Sequence, residues 1–163
     1  MTAQTDNPSS ASASSEPAAP RIEEMNGLEV LRFLTSSPDQ PPNISQLVGM
    51  EIDSLEEGVV QFSLRARPDM TNPIGSLHGG ICATLLDSVM ACAVHTTLAP
   101  GVGYGTLELK VNYIRSVPTD GRRIIGHGKV IHAGRRTATA EGQIFDEAGK
   151  LIAHGTTTCI IHS

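Results

Sequence analysis

The hydrophobic pattern of this chain predicts an α+β fold, with one long buried helix set against an antiparallel sheet of five or six strands. Three observations lead there. The apolar residues recur with a period of two from about Leu47 to Leu64, and again from Leu107 to Ile161. Between those stretches lies a single segment, Ile81 to Ala99, that is apolar on nearly every face, as a buried helix is. No repeat of 20 to 50 residues and no second linker divide the 163 residues, so the elements belong to one domain.

The elements follow in order. The first 20 residues hold five Ser, five Ala, three Pro and two Thr, without a basic start or an apolar run; they read as a disordered tail, not a secretory signal. Residues 21–163 form the folded domain. In residues 21–36, Ile22, Met25, Leu28, Leu31 and Leu34 recur in steps of three, giving a short amphipathic helix interrupted by Gly27 and ended by Ser37-Pro38. Val48 to Leu55 and the alternating Val60, Phe62 and Leu64 then form a hairpin around a Glu-Glu-Gly turn. A polar loop, Pro68 to Leu77, leads into the buried helix, about 18 residues and about 27 Å long. The last four strands are Leu107–Tyr113, Arg122–His132, Thr137–Asp146 and Leu151–Ile161, joined by hairpin-length turns at Pro118–Gly121, Ala133-Gly134 and Asp146–Gly149.

Composition excludes several functions. A net charge of −5 argues against a partner held by Lys and Arg, which removes nucleic acid and anionic lipid. The longest apolar run, Ile81 to Val94, spans 14 residues with Asp87 inside it, too short for a membrane crossing. Cys82, Cys92 and Cys159 are odd in number and lack zinc spacing, which fits a reducing cytoplasm. His127 and His132 are five apart on a strand and face opposite sides, so no metal is expected. Strands of about ten residues leave an edge or an apolar face seeking a partner, and an oligomer follows.

Two features carry chemistry. Asp87 lies nine residues inside the buried helix, too deep for a cap, with Ala83, Thr84, Met90, Ala91 and Val94 on its face. It is either a catalytic carboxylate or a buried Asp satisfied by Thr84 or a backbone donor. His78-Gly79-Gly80 opens the same helix, where backbone N–H groups and the helix dipole suit an oxyanion. A third feature is a basic stretch: between 110 and 136 seven Lys and Arg face one acid, Asp120. Gly75 to Gly79 does not match the G-x-S-x-G elbow of a serine hydrolase.

Asn72, His78-Gly79-Gly80 and Asp87 together read N-P-x-G-x-x-H-G-G-x-x-x-T-L-x-D. This segment resembles the active-site segment of hotdog-fold acyl-CoA thioesterases of the phenylacetate-pathway (PaaI-like) type, a likeness extending over about residues 45–162. The resemblance implies a hotdog fold, a long central helix wrapped by an antiparallel β-sheet, in paired subunits that usually make a tetramer, a dimer of dimers. It implies hydrolysis of a medium-chain or aryl-acetyl CoA thioester, with no cofactor and with sites shared between subunits. Asp87 is implied as base or nucleophile, the Gly79 N–H as oxyanion donor, and Asn72 as an orienting group. Thr106 would hold the water and His78 would support the loop. Arg135, Arg136 and Thr137 are implied beside the coenzyme A moiety, although a solvated, edge-protecting face explains such charges equally well. The rival class is a hotdog module that binds acyl-CoA as a sensor or scaffold without turnover.

Overall fold

The computed structural model describes residues 21–37 and 40–162; the tail expected over residues 1–20 and the Pro38 expected to end the first helix lie outside them. β1 (Glu51–Glu56) pairs with β2 (Val59–Arg65), and β2 with β4 (Arg123–Ala133). β4 pairs with β5 (Thr137–Asp146), β5 with β6 (Leu151–His162), and β6 with β3 (Gly103–Tyr113). All five pairings are antiparallel, and they form one six-stranded sheet with β1 and β3 at its edges.

The central helix α3 (Gly79–His95) lies across the concave face of this sheet. Leu85, Leu86, Val89, Met90, Ala93 and Val94 on its underside are fully buried against Val60 and Leu64 of β2, Ile124 of β4, Ala140 and Ile144 of β5, and Cys159 of β6. Each large side chain of this set contributes roughly 1.5–3 kcal/mol by leaving water. The sheet makes room for the helix with glycine: Gly128, Gly142 and Gly155 are register partners across β4, β5 and β6. A Cβ on Gly128 would stand 2.1 Å from the carbonyl oxygen of Val89, and one on Gly142 would stand 2.8 Å from Met90 Cγ. The helix therefore rests on bare backbone.

The opposite face is mostly polar. Gln61, His127, Gln143, His154 and Asn112 form one register row across five strands. An apolar row of Ile125, Phe145 and Leu151, half-buried, lies beside it on the same face, where the Phe145 ring meets His127.

Three elements differ from the sequence expectation. The strand expected from Val48 begins only at Glu51, and its expected start falls in a short helix, α2 (Ile44–Val48), because the Asn43 side chain accepts from the Gln46 N–H at 3.1 Å and Gly49 closes the turn at φ +67°. The first helix α1 (Gly27–Ser36) is not interrupted by Gly27 but begins with it. Asn26 and Glu29 form a capping box there. Gly27 is demanded by a close approach: its N–H donates to Leu98 O at 2.9 Å, and a Cβ would sit 1.7 Å from His95 O. Finally, Pro118–Gly121 does not close a hairpin, since β3 crosses to pair with β6 and leaves β4 beside β2.

Gly128→Ala drives a methyl group into the α3 backbone, which cannot move aside as a side chain can. Thermal unfolding of this variant should show a loss of about 3 kcal/mol, near the upper end for overpacking, or about 6–12 °C in Tm. A variant within about 2 °C of the parent would mean the helix does not sit this close.

Candidate active site

The residues singled out in the sequence fall into three groups. The first gathers at the start of α3. His78 is the N-cap, and its Nδ1 accepts from the Gly80 N–H at 2.9 Å. The two glycines are thereby given different tasks: Gly80 N–H is capped, whereas Gly79 N–H finds no acceptor among the described residues. It points out of the helix end with the dipole behind it. Asn72 shapes the loop leading in. Its Oδ1 accepts from the N–H groups of Ile74 and Ser76, each at 3.1 Å, and its side-chain amide donates to Ser76 Oγ at 3.0 Å.

Sequence reading missed Tyr113 in this group. The Tyr113 hydroxyl donates to Gly79 O at 3.1 Å, and its ring stands 3.2 Å from where a Cβ on Gly79 would lie. Gly79 is therefore held by an aromatic from the far end of β3. Nothing local in the sequence signals the contact, which depends on β3 running back along the sheet edge.

The second group lies two turns further along α3. Thr106 Oγ1 on β3 donates to Asp87 Oδ1 at 3.0 Å. Thr84, the alternative partner weighed from sequence, instead donates to Gly80 O at 2.9 Å. The Thr106 contact exists because β3 changes phase. Strict alternation with Leu109 and Val111 facing inward would turn Thr106 outward, but the register with β6 slips between Thr106 and Glu108. Leu107 is the extra residue of this β-bulge, and it returns Thr106 to the helix side. Asp87, Ser88, Ala83, Thr84, Thr106 and Leu109 then line a hollow of about 480 Å³, with Ile44 of α2 on its rim.

Gly79 and Asp87 are not brought together within one chain. Eight residues of helix separate their backbones by about 12 Å, and the hollow at Asp87 includes none of Asn72, His78 and Gly79.

The third group is basic. Arg135 and Arg136 sit in the β4–β5 turn, where Gly134 N–H donates to Thr137 O at 2.9 Å, and with Ile160, Ile161 and His162 they line a separate hollow of about 550 Å³. The rest of the basic stretch does not join them. Arg122 pairs with Asp120 at 2.6 Å, and Arg123 pairs with Asp53 while its Nε donates to the buried Ser63 hydroxyl at 3.1 Å. Asp53 was invisible to a count along the sequence because it arrives from β1. Among the described residues no His, Cys, Asp and Glu side chains gather in threes as a metal site needs.

Behind Asp87 the interior is thiol and phenol. Burial pushes the Cys82 thiol up to about 11 and the Cys92 thiol up to about 12, with the Asp87 charge adding to the latter. Burial likewise raises Tyr104, which lies near Cys92, Cys159 and Asp87. These groups stay neutral at physiological pH, and of them Cys92 and Tyr104 give the carboxylate an uncharged backing.

Comparison with known proteins adds the following. A family model described as thioesterase superfamily matches residues 74–153. The chain is similar to acyl-coenzyme A thioesterase 13 of Homo sapiens, 30% identical over 134 residues that cover 80% of this chain and 90% of that one. Among solved structures it resembles the conserved protein PA5202 of Pseudomonas aeruginosa at 34% identity and a TM-score of 0.69, covering 75% of this chain and 95% of the other. It also resembles a mutant of the phenylacetic acid degradation protein PaaI from Thermus thermophilus at 28% identity and a TM-score of 0.65, covering 71% and 96%.

Because the thiolate is the reactive form, thiols raised this far react slowly. Iodoacetamide at pH 8 should leave Cys82 and Cys92 unlabelled in the native chain and modify all three cysteines in urea, as read by mass spectrometry. Rapid native labelling of Cys82 would show the interior to be open and wet.

Proposed function

This chain belongs to the thioesterase superfamily, with the hotdog fold and PaaI-like relatives, and from that membership we propose that it hydrolyses acyl-CoA thioesters at Asp87. The observation that carries the reading is the half-buried Asp87 carboxylate, held by Thr106 at 3.0 Å over an open hollow in the middle of an otherwise apolar helix. In the proposed step the thioester carbonyl accepts the Gly79 N–H, and the developing oxyanion gains from a donor already oriented by the helix and by Tyr113. Asp87 either takes a proton from water as it attacks the carbonyl carbon, or attacks directly and is released by water. Either route breaks the C–S bond, gives the acyl carbon one oxygen from water, and releases CoA as its thiol. Thr106 steadies the carboxylate and the water. Asn72 keeps the Gly79 loop rigid.

A reacting carbon must lie about 3 Å from both the oxyanion donor and the attacking atom. The axial separation of Gly79 and Asp87 does not allow this within one chain. We therefore place the Asp87 that serves Gly79 on a second copy, with the α3 helices antiparallel across a two-fold axis, in a dimer that pairs again to a tetramer. Arg135, Arg136 and Thr137 hold the CoA phosphates. The acyl group is of the medium-chain or aryl-acetyl class, and the three unpaired cysteines fit a reducing cytoplasm.

Asp87→Asn should lower kcat on acyl-CoA by about 10²- to 10⁴-fold while the oligomer persists. Most of the activity surviving would overturn Asp87 as the base or nucleophile. Refolding inactive Asn72→Ala chains with Asp87→Asn chains should restore activity, because a site built in trans leaves one of the two hybrid sites intact; a mixture as inactive as its parents excludes a shared site. Replacing Arg135 and Arg136 by Ala should raise KM and flatten its salt dependence with little change in kcat. An unchanged KM at low salt would leave the pair as a solvated turn.

A further inference from the structure

We infer that the groove between α1 and the β1–β2 hairpin receives the hydrocarbon tail of the substrate, so that the acyl group is a straight alkyl chain rather than an aryl-acetyl group. This rests on the proposed site at Asp87 and extends it. The groove, of about 780 Å³, is floored by Leu31 and Leu34 of α1, Met50, Ile52 of β1, Phe62 of β2 and Cys92 of α3. Its size lies in the range of small-molecule sites. α1 is held against the rest of the fold at its first residue and at its middle. Gly27 N–H is fixed to Leu98 O at 2.9 Å, and the Arg32 guanidinium donates to Leu55 O at 3.1 Å. The groove opens beside and beyond the second anchor, along Leu31, Leu34 and Thr35.

Its floor suits hydrocarbon, while its rim is polar, with Thr35, Ser37, Gln40, Asn43, Ser45 and Gln46 beside Glu51. No Lys, Arg or His lines it, so a phosphate has no partner there, and the one carboxylate, Glu51, would repel one. The Cys92 thiol on its floor is kept neutral by burial.

The groove also adjoins the hollow at Asp87. Ser88 lines that hollow, and Cys92, one turn further along the same face of α3, lines the groove. Ile44 and Ser45, consecutive residues of α2, border the hollow and the groove respectively. A chain whose carbonyl lies at Asp87 passes under α2 and enters between α1 and the sheet.

The test uses S-alkyl-CoA thioethers with C4, C8 and C12 chains, which carry no scissile carbonyl, so that binding is read whether or not the proposed hydrolysis holds. The sequence contains no tryptophan, which makes Leu34→Trp a single fluorescent reporter on the groove wall. Leu34 is 39% exposed, leaving room for the larger ring. Calorimetry on the unmodified full chain should show Kd falling about threefold to fourfold per methylene, and at least about 100-fold from C4 to C12. In Leu34→Trp that C4-to-C12 ratio should drop at least tenfold, and the emission should move to the blue with C12 but not with C4. The ratio is insensitive to a uniform loss of affinity, so damage to the CoA contacts does not mimic the result. A wild-type ratio near one, no saturable binding of C12, or a ratio that survives in both Leu34→Trp and Leu31→Trp overturns the inference. So does emission already blue in the free protein and indifferent to C12, which would mean that residues 1–20 or a second copy fill the groove. Loss of hydrolysis on acyl-CoA with the chain-length dependence intact would sink only the catalytic reading.

Discussion

The seat of α3 on the sheet is the constraint from which the rest follows. Where a helix packs on side chains its axis stands off from the sheet by their length; here Gly128, Gly142 and Gly155 remove the side chains beneath it. Leu85, Leu86, Val89 and Met90 can then reach past the glycine row and be fully buried. A helix lodged this way cannot rotate about its axis without driving its backbone into the strands. Fixing the side that faces the sheet fixes the side that does not, and Asp87 stands on the latter. The same seat brings the C-terminal end of α3 close enough for Gly27 to bond to Leu98, so even the position of α1 is inherited from it.

The parts of this fold legible in the sequence are those whose signal is local. Period-two stretches announced the strands from β2 onward, and an apolar run with one acid announced α3, because burial on one face or all faces leaves its mark on neighbouring residues. Strand order was not legible. The partner of β3 is β6 rather than β4, a choice made by contacts some fifty residues apart, as in Thr106 with Cys159. Nor was α2, since five residues are too few to show a helical period against the alternation around them. Its two caps, Asn43 and Gly49, were the available sign.

The candidate site shows the same division at finer scale. The loop-helix segment stood out because Asn72, His78-Gly79-Gly80 and Asp87 are close in sequence. What the sequence could not separate was the work of the two glycines, which depends on the His78 ring turning back onto Gly80 and Tyr113 reaching across to Gly79. Thr106 is a sharper case. A strict reading of the strand puts it on the wrong face, and only the extra residue at Leu107 corrects the phase. Bulges are set by the mismatch between two strands, so a single strand read alone does not reveal them.

The bulge also bears on what surrounds Asp87. Leu107 is pushed to the edge of the sheet and left 59% exposed, while Tyr113 and Ile114, at 56% and 54%, lie at and just beyond the far end of the same strand; across the hollow, Ile44 is 49% exposed on α2. Leu107 and Ile44 thus leave uncovered apolar surface beside the opening that Asp87 faces. A lone chain thus has two deficits in one place: an edge strand with unpaired backbone beside apolar side chains, and a carboxylate with no oxyanion donor in reach. The proposed two-fold pairing answers both with a single contact, since the second copy that covers the β3 edge is also the one whose Gly79 approaches Asp87. Excluding water there would strengthen the field of the Gly79 dipole on the carbonyl, which ties catalytic competence to assembly rather than to the folding of either chain alone.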